Sequence, residues 1–396
     1  MTHTSYRQLP SVAIVGAGAS GLWCALKLIE RGWRAEQLQL FESDAHKAND
    51  RTFGYWTRRS LVPPEKVWSS YRRVALTSNA QSAEYDAGAY RYEVIRSKSF
   101  YDYALLRLND AGVRTMQAHV HRLDSVQDRK VHVHFTAGGE EGGVVVDYVL
   151  DSRLPANKDV LNDEVPSVWQ HFGGYFVRTQ SDVFDPGLAT FMDFVPLHGQ
   201  SVAFWYVLPK SSNEALLELA VLDRHPWQKA AYSEALTEYL DRRYGLRSGY
   251  EMLDSEHGRI PMTAAPLWHA STQRIWRIGT AGGWVQPSSG YHFARAAKFA
   301  EIVADQLATA SCPHAPRPST RDQIFNEIML RHVAEHPQKA PQTFYDLFRR
   351  NGAAKTFAFL DGDLPVGGTL SVMWNSPRRA FTTLGIRSLV RRLASA

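Results

Sequence analysis

Cysteine is almost absent from this chain, which has only Cys24 and Cys312 among its 396 residues. Two cysteines cannot form a disulfide framework, and they lack the paired spacing of a zinc site, so no metal centre is predicted. The sequence has no run of roughly 18 apolar residues that could cross a bilayer, and no charged and apolar leader precedes the first predicted strand. We therefore expect a cytoplasmic protein without a signal peptide or a transmembrane helix.

Charge of either sign is also modest. The chain has 45 Lys and Arg residues against 40 Asp and Glu residues, which gives a net charge of +5. A surplus this small and this dispersed does not predict nucleic-acid binding. Hydrophobic residues make up 44% of the chain, which is typical of a globular protein, and the length is sufficient for two or three domains.

The strongest local pattern is a strand, a glycine-rich turn and a helix near the amino terminus. Residues 12–15 are typical of a buried parallel strand, and Gly16, Gly18 and Gly21 follow in the spacing G-x-G-x-x-G. These glycines allow a tight turn, the close approach of a pyrophosphate and close packing of the helix. Glu42 ends the next predicted strand, about 20 residues further on, where an acid that binds a ribose is expected. The pattern predicts nucleotide binding.

Two later segments return to this fold. Residues 146–153 form an apolar strand that contains Asp151, and residues 274–284 repeat the strand and glycine pattern. The glycines of this second turn are Gly279, Gly282 and Gly283. Because a predicted helix follows it, the second turn suggests a second contact to one extended cofactor. FAD, which is longer than NAD, is the natural candidate.

Between these segments the pattern is that of β-sheet. Apolar stretches between residues 168 and 223 predict strands that suit a substrate wall, residues 226–244 predict a helix, and residues 256–263 predict a connection. Aromatic residues are concentrated between Trp56 and Tyr103. We expect most of them to pack in the core and the remainder to line a long apolar cavity.

The carboxy-terminal part is predicted to be helical. Residues 321–335, 341–350 and 353–360 predict helices after a proline-rich linker. Residues 378–393 alternate apolar residues with arginines, which is typical either of a helix on a membrane surface or of a helix packed on its own domain.

The predicted fold class is α/β, with a Rossmann-like FAD-binding domain of the glutathione-reductase/hydroxylase type, an inserted β-sheet substrate domain and a helical carboxy-terminal cap. The segments of the discontinuous FAD-binding domain are residues 1–60, 112–155 and 270–310. The substrate-binding domain takes residues 61–111 and 165–265. The helical region with its basic amphipathic tail takes residues 318–396.

Several stretches together resemble the flavin-dependent lycopene cyclase family of carotenoid biosynthesis. The stretches that carry the resemblance are residues 12–21 with Glu42, 49–56, 149–153, 191–194, 204–218, 258–262, 278–283 and 287–293. The Met-Asp-Phe element at 192–194, the Tyr-x-Leu-Pro element at 206–209 and the Pro-x-x-Gly-Tyr element at 287–291 are the most specific to that family.

The resemblance implies an enzyme of the bacterial lycopene β-cyclase type, bound peripherally to a membrane. Such an enzyme closes the ends of a linear carotenoid into rings without net redox change, as in the conversion of lycopene to γ- or β-carotene. FAD is reduced by NAD(P)H, and a carboxylic acid protonates the terminal alkene beside the reduced flavin. The position that matches this acid is Glu218.

The residues around this position support the same chemistry. Glu218 is an acid within an apolar strand, and desolvation favours its neutral, proton-donating form. We expect it to face the flavin, the alternative being a glutamate on an edge strand that points to water. By the resemblance, Asp193 supports the cation or orients Glu218, unless it only bonds a strand end. Arg51 and Thr52 match positions close to the flavin and its phosphates, unless they belong to an ordinary loop.

Three positions depart from the family pattern. Phe53 stands near a frequent Trp, and Ala220 stands near a frequent polar residue, so the pocket suits a different polyene. Thr280 stands where many related flavoproteins place an aspartate on the ribityl chain. Two other functions remain open: a flavin-dependent oxidoreductase of an apolar substrate, such as a monooxygenase, halogenase or desaturase, and a nucleotide-binding carrier without catalysis.

Overall fold

A computed structural model describes residues 9–44, 48–78, 81–154, 165–195 and 201–375. The first sheet has five parallel strands, namely β1 (Val12–Val15), β2 (Leu38–Glu42), β8 (Thr115–Gln117), β12 (Tyr148–Asp151) and β18 (Ile275–Arg277). Their spatial order is β18-β12-β1-β2-β8. Every residue of β1 is buried, as expected for a parallel strand that is covered on both faces.

Helices cover this parallel sheet. They are α1 (Ala19–Glu30), α2 (Ser97–Asp110) and α4 (Phe293–Thr309). Helix α1 contacts both of the others, and apolar residues of all three helices share one hydrophobic core with Ile14 and Leu150. The topology, with β1 central and the helices packed against it, is that of a dinucleotide-binding fold.

The second large sheet has seven strands. They are β5 (Arg73–Ser78), β6 (Gln81–Asp86), β13 (Ser167–Thr179), β14 (Leu188–Val195), β15 (Val202–Pro209), β16 (Glu214–Asp223) and β17 (Tyr250–Thr263). Their order is β17-β13-β16-β15-β14-β5-β6, and all neighbours are antiparallel except β14 and β5. Strand β16 is therefore an interior strand.

The two faces of the seven-stranded sheet pack against different helices. Helix α3 (Lys229–Tyr244) covers one face, where it forms a core with Trp205 and Leu217. The opposite face packs against α5 (Thr320–Glu335) and α6 (Ala340–Leu360), and α7 (Val366–Asn375) packs on α6. Because side chains alternate along a strand, the interior strands β15 and β16 contribute to both cores.

Two small sheets complete the described structure. One contains β3 (Thr52–Thr57), β4 (Ser69–Tyr71) and β7 (Arg91–Arg96) in the order β3-β7-β4. The other contains β9 (His119–Val126), β10 (Lys130–Ala137) and β11 (Glu140–Val146) in the order β11-β10-β9.

Most predicted elements are present, with one important correction. Residues 256–263 were expected to form a connection, but they belong to strand β17, which pairs with β13 along its whole length. The strand was missed because Gly258 and Pro261 interrupt its pattern, and proline is tolerated there because β17 is at the sheet edge. The predicted break between two carboxy-terminal helical segments is present in α6 as the non-helical Gly352, which has φ 72°.

The structure describes only some of the residues on which the membrane predictions depend. Within the described ranges, no helix is long and apolar enough to cross a membrane. The basic segment 378–393 lies outside the described residues.

Candidate functional site

The two glycine-rich turns lie side by side at the carboxyl ends of the parallel strands. Strands β1, β12 and β18 are neighbours, and both turns follow directly from them. The Ser20 hydroxyl, in the first turn of α1, lies 2.8 Å from the Cβ position of an alanine at Gly279. It also hydrogen-bonds His292 Nε2 at 2.8 Å, immediately before α4. The structure thus brings the two predicted cofactor-binding turns together.

The amino terminus of α1 is open to an anionic ligand. Gly18 is the N-cap residue, no side chain caps the helix, and the first turn has no acidic residue. A Cβ built on Gly18 would contact nothing within 4 Å, whereas a Cβ on Gly21 would lie 1.9 Å from the Gly16 carbonyl oxygen. Gly21 therefore serves close packing, and Gly18 leaves the helix amides accessible. This arrangement fits a phosphate group.

Glu42 and Arg51 lie near the glycine turns. The carboxylate of Glu42 accepts a hydrogen bond from the backbone N–H of Ala17 at 2.8 Å, within the first glycine turn. Arg51 is exposed and forms an ion pair with Asp50 at 2.8 Å. Burial, aided by the positive charge of Arg51, lowers the pKa of His292 to about 4, so that this imidazole is neutral. Arg51 is thus near His292 and the second glycine turn, and its contact with the flavin or its phosphates stays a prediction.

The second turn borders a small cavity of about 30 Å³, whose lining includes Thr280, Gly283 and Arg295. Gly283 has φ 72°, and a Cβ on Gly282 would lie 2.3 Å from a carbonyl oxygen. Arg295 is partly buried, its Nε donates to the Trp284 carbonyl at 3.1 Å, and desolvation lowers its pKa. Its Nη2 has no hydrogen-bond partner among the described residues. A polar or anionic group would satisfy this guanidinium.

Asp151 has a different environment from the other predicted cofactor residues. Its fully buried carboxylate forms ion pairs with Arg153 at 2.8 Å and with Arg277 at 2.7 Å. Both carboxylate oxygens accept hydrogen bonds from these guanidinium groups. The structure therefore explains Asp151 as an ion-pair centre, and its contact with a cofactor stays a prediction.

A pair of acids lies on the seven-stranded sheet. Glu218 on β16 and Glu256 on β17 are both directly opposite Gly174 on the intervening strand β13. Residues that are directly opposite in a sheet share a face. A Cβ on Gly174 would lie 3.0 Å from Glu256 Cγ and 3.3 Å from Glu218 Oε2. The missing side chain of Gly174 thus gives the two carboxyl groups room to meet.

Burial and mutual repulsion favour the retention of a proton on this pair. Burial raises the pKa of Glu218 well above its usual range, and the charge and hydrogen bonding of Glu256 raise it further. Burial also raises the pKa of Glu256 to about 7. The Thr52 hydroxyl donates to Glu256 Oε2 at 2.8 Å, and this bond together with the Arg96 charge opposes the rise. Glu218 is therefore the stronger proton holder of the two.

Aromatic side chains surround the acid pair. Tyr206 is directly opposite Glu218 on β15. Its hydroxyl lies 3.1 Å from that of Tyr291, which in turn lies 3.1 Å from that of Tyr92. The rings of Trp56 and Phe191 pack against Tyr291, and Phe357 packs against both of them. These aromatics form part of the core between the sheet and α6, and their electron-rich faces can stabilise a nearby cation.

The structure separates Asp193 from Glu218. Asp193 is directly opposite Trp205, whereas Glu218 is opposite the next residue, Tyr206, so the two acids lie on opposite faces of the sheet. Tyr239 of α3 donates a hydrogen bond to Asp193 at 2.8 Å. The expectation that Asp193 orients Glu218 was wrong, because the alternation of side chains directs it to the α3 face.

Two parts of this site were not assigned from the sequence. Glu256 was placed in a connection, and the tyrosine hydroxyl chain was not recognised. A regular strand pattern would have indicated Glu256, but β17 is an edge strand whose residues are mostly accessible. Thr52 was expected near the flavin, and the structure adds its bond to Glu256. Pairing across strands, which local sequence does not encode, creates this part of the site.

An open cleft of about 630 Å³ lies at the amino-terminal ends of the parallel strands, where Ser11 and Asp147 precede β1 and β12. The Ser11 hydroxyl donates to Asp147 at 2.8 Å across its floor. Ligands of doubly wound sheets bind at the carboxyl ends of the strands. The glycine turns and the acid pair, not this cleft, therefore form the candidate site.

Solved structures share this fold at low sequence identity. A geranylgeranyl bacteriochlorophyll reductase-like protein from Thermoplasma acidophilum is 12% identical, with a TM-score of 0.63 over 95% of this chain and 98% of that one. A flavoprotein/dehydrogenase from Cytophaga hutchinsonii is 13% identical, with a TM-score of 0.61 over 97% and 100%. The p-nitrophenol 4-monooxygenase from Pseudomonas putida is 15% identical, with a TM-score of 0.55 over 96% of this chain and 97% of that one. The predicted fold class is confirmed.

The sequence comparisons are more specific. A search of curated proteins found no match. The profile of the family described as lycopene cyclase protein matches residues 11–384, which include both glycine turns and the acid pair. The chain therefore belongs to the lycopene cyclase family.

Proposed function

We propose that this protein catalyses the redox-neutral cyclisation of the ends of a linear carotenoid, of the type that converts lycopene to γ- or β-carotene. The observation that carries the proposal is Glu218, an acid on an interior strand whose pKa is raised well above its usual range by burial. Such a group is a neutral proton donor at physiological pH. The burial of Glu218 is not complete, so a substrate could reach part of the side chain.

The proposed reaction conserves atoms and electrons. The O–H bond of Glu218 breaks as a C–H bond forms at the terminal alkene, which leaves a carboxylate and a tertiary carbocation. The neighbouring alkene attacks this cation, and a carbon–carbon bond closes the ring. Loss of a proton from the ring restores a double bond and returns the proton to the enzyme. The product is therefore an isomer of the substrate.

The residues of the glycine turns fit FAD as the cofactor. The open helix terminus at Gly18 would hold the pyrophosphate, Glu42 would bind the ribose, and the second turn at Gly282 and Gly283 would hold the remainder. When bound and reduced with electrons from NAD(P)H, the flavin supplies negative charge beside the carbocation. The exposed Arg51 would meet the phosphates.

The aromatic cluster has two roles in this proposal. Tyr206, Tyr291, Tyr92 and Trp56 provide electron-rich rings on the Glu218 face of the sheet, where the cation forms. They also exclude water, which would otherwise capture the carbocation and give an alcohol. A hydroxylated product from a Trp56→Ala variant would support this role.

The function is tested by anaerobic incubation of the purified protein with FAD, NADPH and lycopene in liposomes, followed by chromatography and mass measurement of each carotenoid. The expected product has an unchanged mass and a shortened chromophore. Lycopene that stays unchanged anaerobically, with a product of different mass once oxygen is admitted, would overturn the proposal. That result would favour the flavin-dependent oxidoreductase.

We also propose peripheral contact with a membrane surface. A linear carotenoid is almost insoluble in water and partitions into bilayers, so the enzyme must take it from lipid. The net charge of +5 favours an anionic surface. Flotation with anionic liposomes should carry the protein upward more than flotation with neutral liposomes. Equal absence from both liposome fractions would contradict this contact.

A further inference from the structure

We propose that Glu256 is a positioning residue for Glu218, and that the two carboxyl groups share a proton across Gly174. This inference rests on the proposed function and deepens it, because it explains how the acid keeps its proton at the pH of the cell. Glu256 need not touch the substrate, since it acts through Glu218.

The backbone fixes the two acids in register. Three adjacent strands, β16, β13 and β17, place Glu218, Gly174 and Glu256 in one row across the sheet. At Gly174, the middle position of the row, any side chain would enter the space between the acids, where a Cβ would lie within 3.3 Å of both. Only glycine leaves this space open. The pairing is therefore built into the sheet.

Each oxygen of Glu256 has a separate role. Oε2 accepts the Thr52 hydroxyl at 2.8 Å, which fixes the orientation of the carboxylate. For Oε1, which is buried, no N–H or O–H donor is present among the described residues. A buried carboxylate oxygen without a donor is costly. The carboxyl proton of Glu218, within hydrogen-bonding reach, is the donor that satisfies it.

The charges around the pair allow one shared proton. Arg96 of β7 lies near Glu256, but its Nη2 forms an ion pair with Asp254 at 2.6 Å. The other titratable groups that face the pair are the hydroxyls of Tyr92 and Tyr206, whose pKa values are raised by burial, so they are neutral. Two buried carboxylates this close do not both ionise. Glu256 therefore ionises first, and its charge holds the proton on Glu218.

The test replaces Glu256 by an amide of the same shape. In Glu256→Gln, Glu218 loses the negative neighbour that stabilises its protonated form. We expect the alkaline limb of the cyclisation pH profile to move to lower pH by at least about one unit, with kcat reduced at neutral pH and KM little changed. In parallel, the infrared C=O stretch of protonated Glu218, assigned by its loss in Glu218→Gln, should titrate at lower pH.

Matched variants separate this effect from general damage. Glu251→Gln changes an exposed acid on the same strand β17 and should leave both titrations unchanged. Gly174→Ala inserts a methyl group between the acids and should shift the profile as Glu256→Gln does. Gly173→Ala instead crowds Tyr232 on the opposite face and should lower stability without shifting the profile.

The infrared titration does not depend on the reaction. If the wild-type protein does not cyclise carotenoids, the proposed function fails, but the shift of the Glu218 band in Glu256→Gln still reports the shared proton. An unchanged Glu218 band in Glu256→Gln overturns the inference even if the wild type is an active cyclase. An unchanged pH profile in an active Glu256→Gln enzyme overturns it as well.

Discussion

Two acid sites in this molecule have opposite electrostatic surroundings. In the parallel sheet, Asp151 is enclosed by the guanidinium groups of Arg153 and Arg277, at 2.8 and 2.7 Å. In the seven-stranded sheet, Glu218 faces a second acid, Glu256, and Arg96, the nearby cation, is paired elsewhere. The first site stabilises a carboxylate, whereas the second stabilises a carboxylic acid.

This difference shows that burial alone does not define the role of an acid. A buried carboxylate that is held by two guanidinium groups serves the structure as the centre of an ion-pair cluster. A buried carboxyl group beside another is poised for proton transfer. Both acids follow apolar residues in their strands. The charged partners, which are Arg153 and Arg277 for Asp151 and Glu256 for Glu218, distinguish the two acids.

The largest expected effect follows from removing the proton donor. Glu218→Gln should reduce cyclisation by at least about 100-fold, since general acid catalysis commonly contributes 10²–10⁴. Carotenoid products are measured by chromatography, and flavin absorbance and thermal unfolding report the fold. Glu214→Gln, at the start of the same strand and ion-paired with Arg178, is the matched control and should retain activity. A Glu218→Gln enzyme that cyclised at the wild-type rate would exclude Glu218 as the acid.

Substitution of Asp151, the buried acid of the parallel sheet, should lower the free energy of unfolding. Asp151→Asn removes the charge that pairs Arg153 and Arg277, which are each about a third exposed. Breaking a fully buried pair costs 3–5 kcal/mol, so partial exposure reduces the expected loss to about 2–3 kcal/mol of the free energy of unfolding. Urea denaturation measures this loss. An unchanged stability together with a shifted catalytic pH profile would reverse the roles assigned to the two sites.

Features set by local sequence could be predicted, whereas contacts between distant strands could not. The glycine turns were predictable because Gly16, Gly18 and Gly21 meet local steric demands at fixed spacing. Glu218 was predictable because an acid within an apolar strand is unusual, and the family resemblance pointed to the same residue. Glu256 was not, because its partner is 38 residues away on another strand and meets it only through sheet register.

Asp193 shows why the face of a strand is hard to predict. A register irregularity between Thr190 and Asp193 shifts the pairing of β14 with β15. A shift by one residue exchanges the two faces of a strand. Such a bulge is not visible in the sequence, so Asp193 was expected beside Glu218 and instead bonds Tyr239 of α3.

The acid pair should also affect stability as a function of pH. The pKa of Glu256 rises from 4.5 to about 7 on folding, so the folded protein binds more protons than the unfolded chain in this window. Stability from this group is therefore full below pH 4.5 and is lost as the pH rises through 7. Relative to Glu256→Gln, which keeps Glu218, the wild type should lose on the order of 3 kcal/mol of unfolding free energy across the window. Parallel stability curves would contradict the raised pKa.

The smallest expected effect concerns the hydroxyl that orients Glu256. Thr52→Val keeps the shape of the side chain but removes the O–H group that donates to Glu256 Oε2. This hydrogen bond stabilises the charged form of Glu256. The pKa of Glu256 should therefore rise above about 7, by about one unit, since a hydrogen bond to a charged group contributes at least roughly 1.5 kcal/mol and one pKa unit corresponds to about 1.4 kcal/mol. This shift is upward, whereas the shift of the Glu218 band in Glu256→Gln is downward, so the two variants test the pair with opposite signs. Infrared titration of the Glu256 carboxyl band measures it, and Thr57→Val on the same strand is the control. A downward shift in Thr52→Val would show that the hydroxyl does not donate to a Glu256 carboxylate.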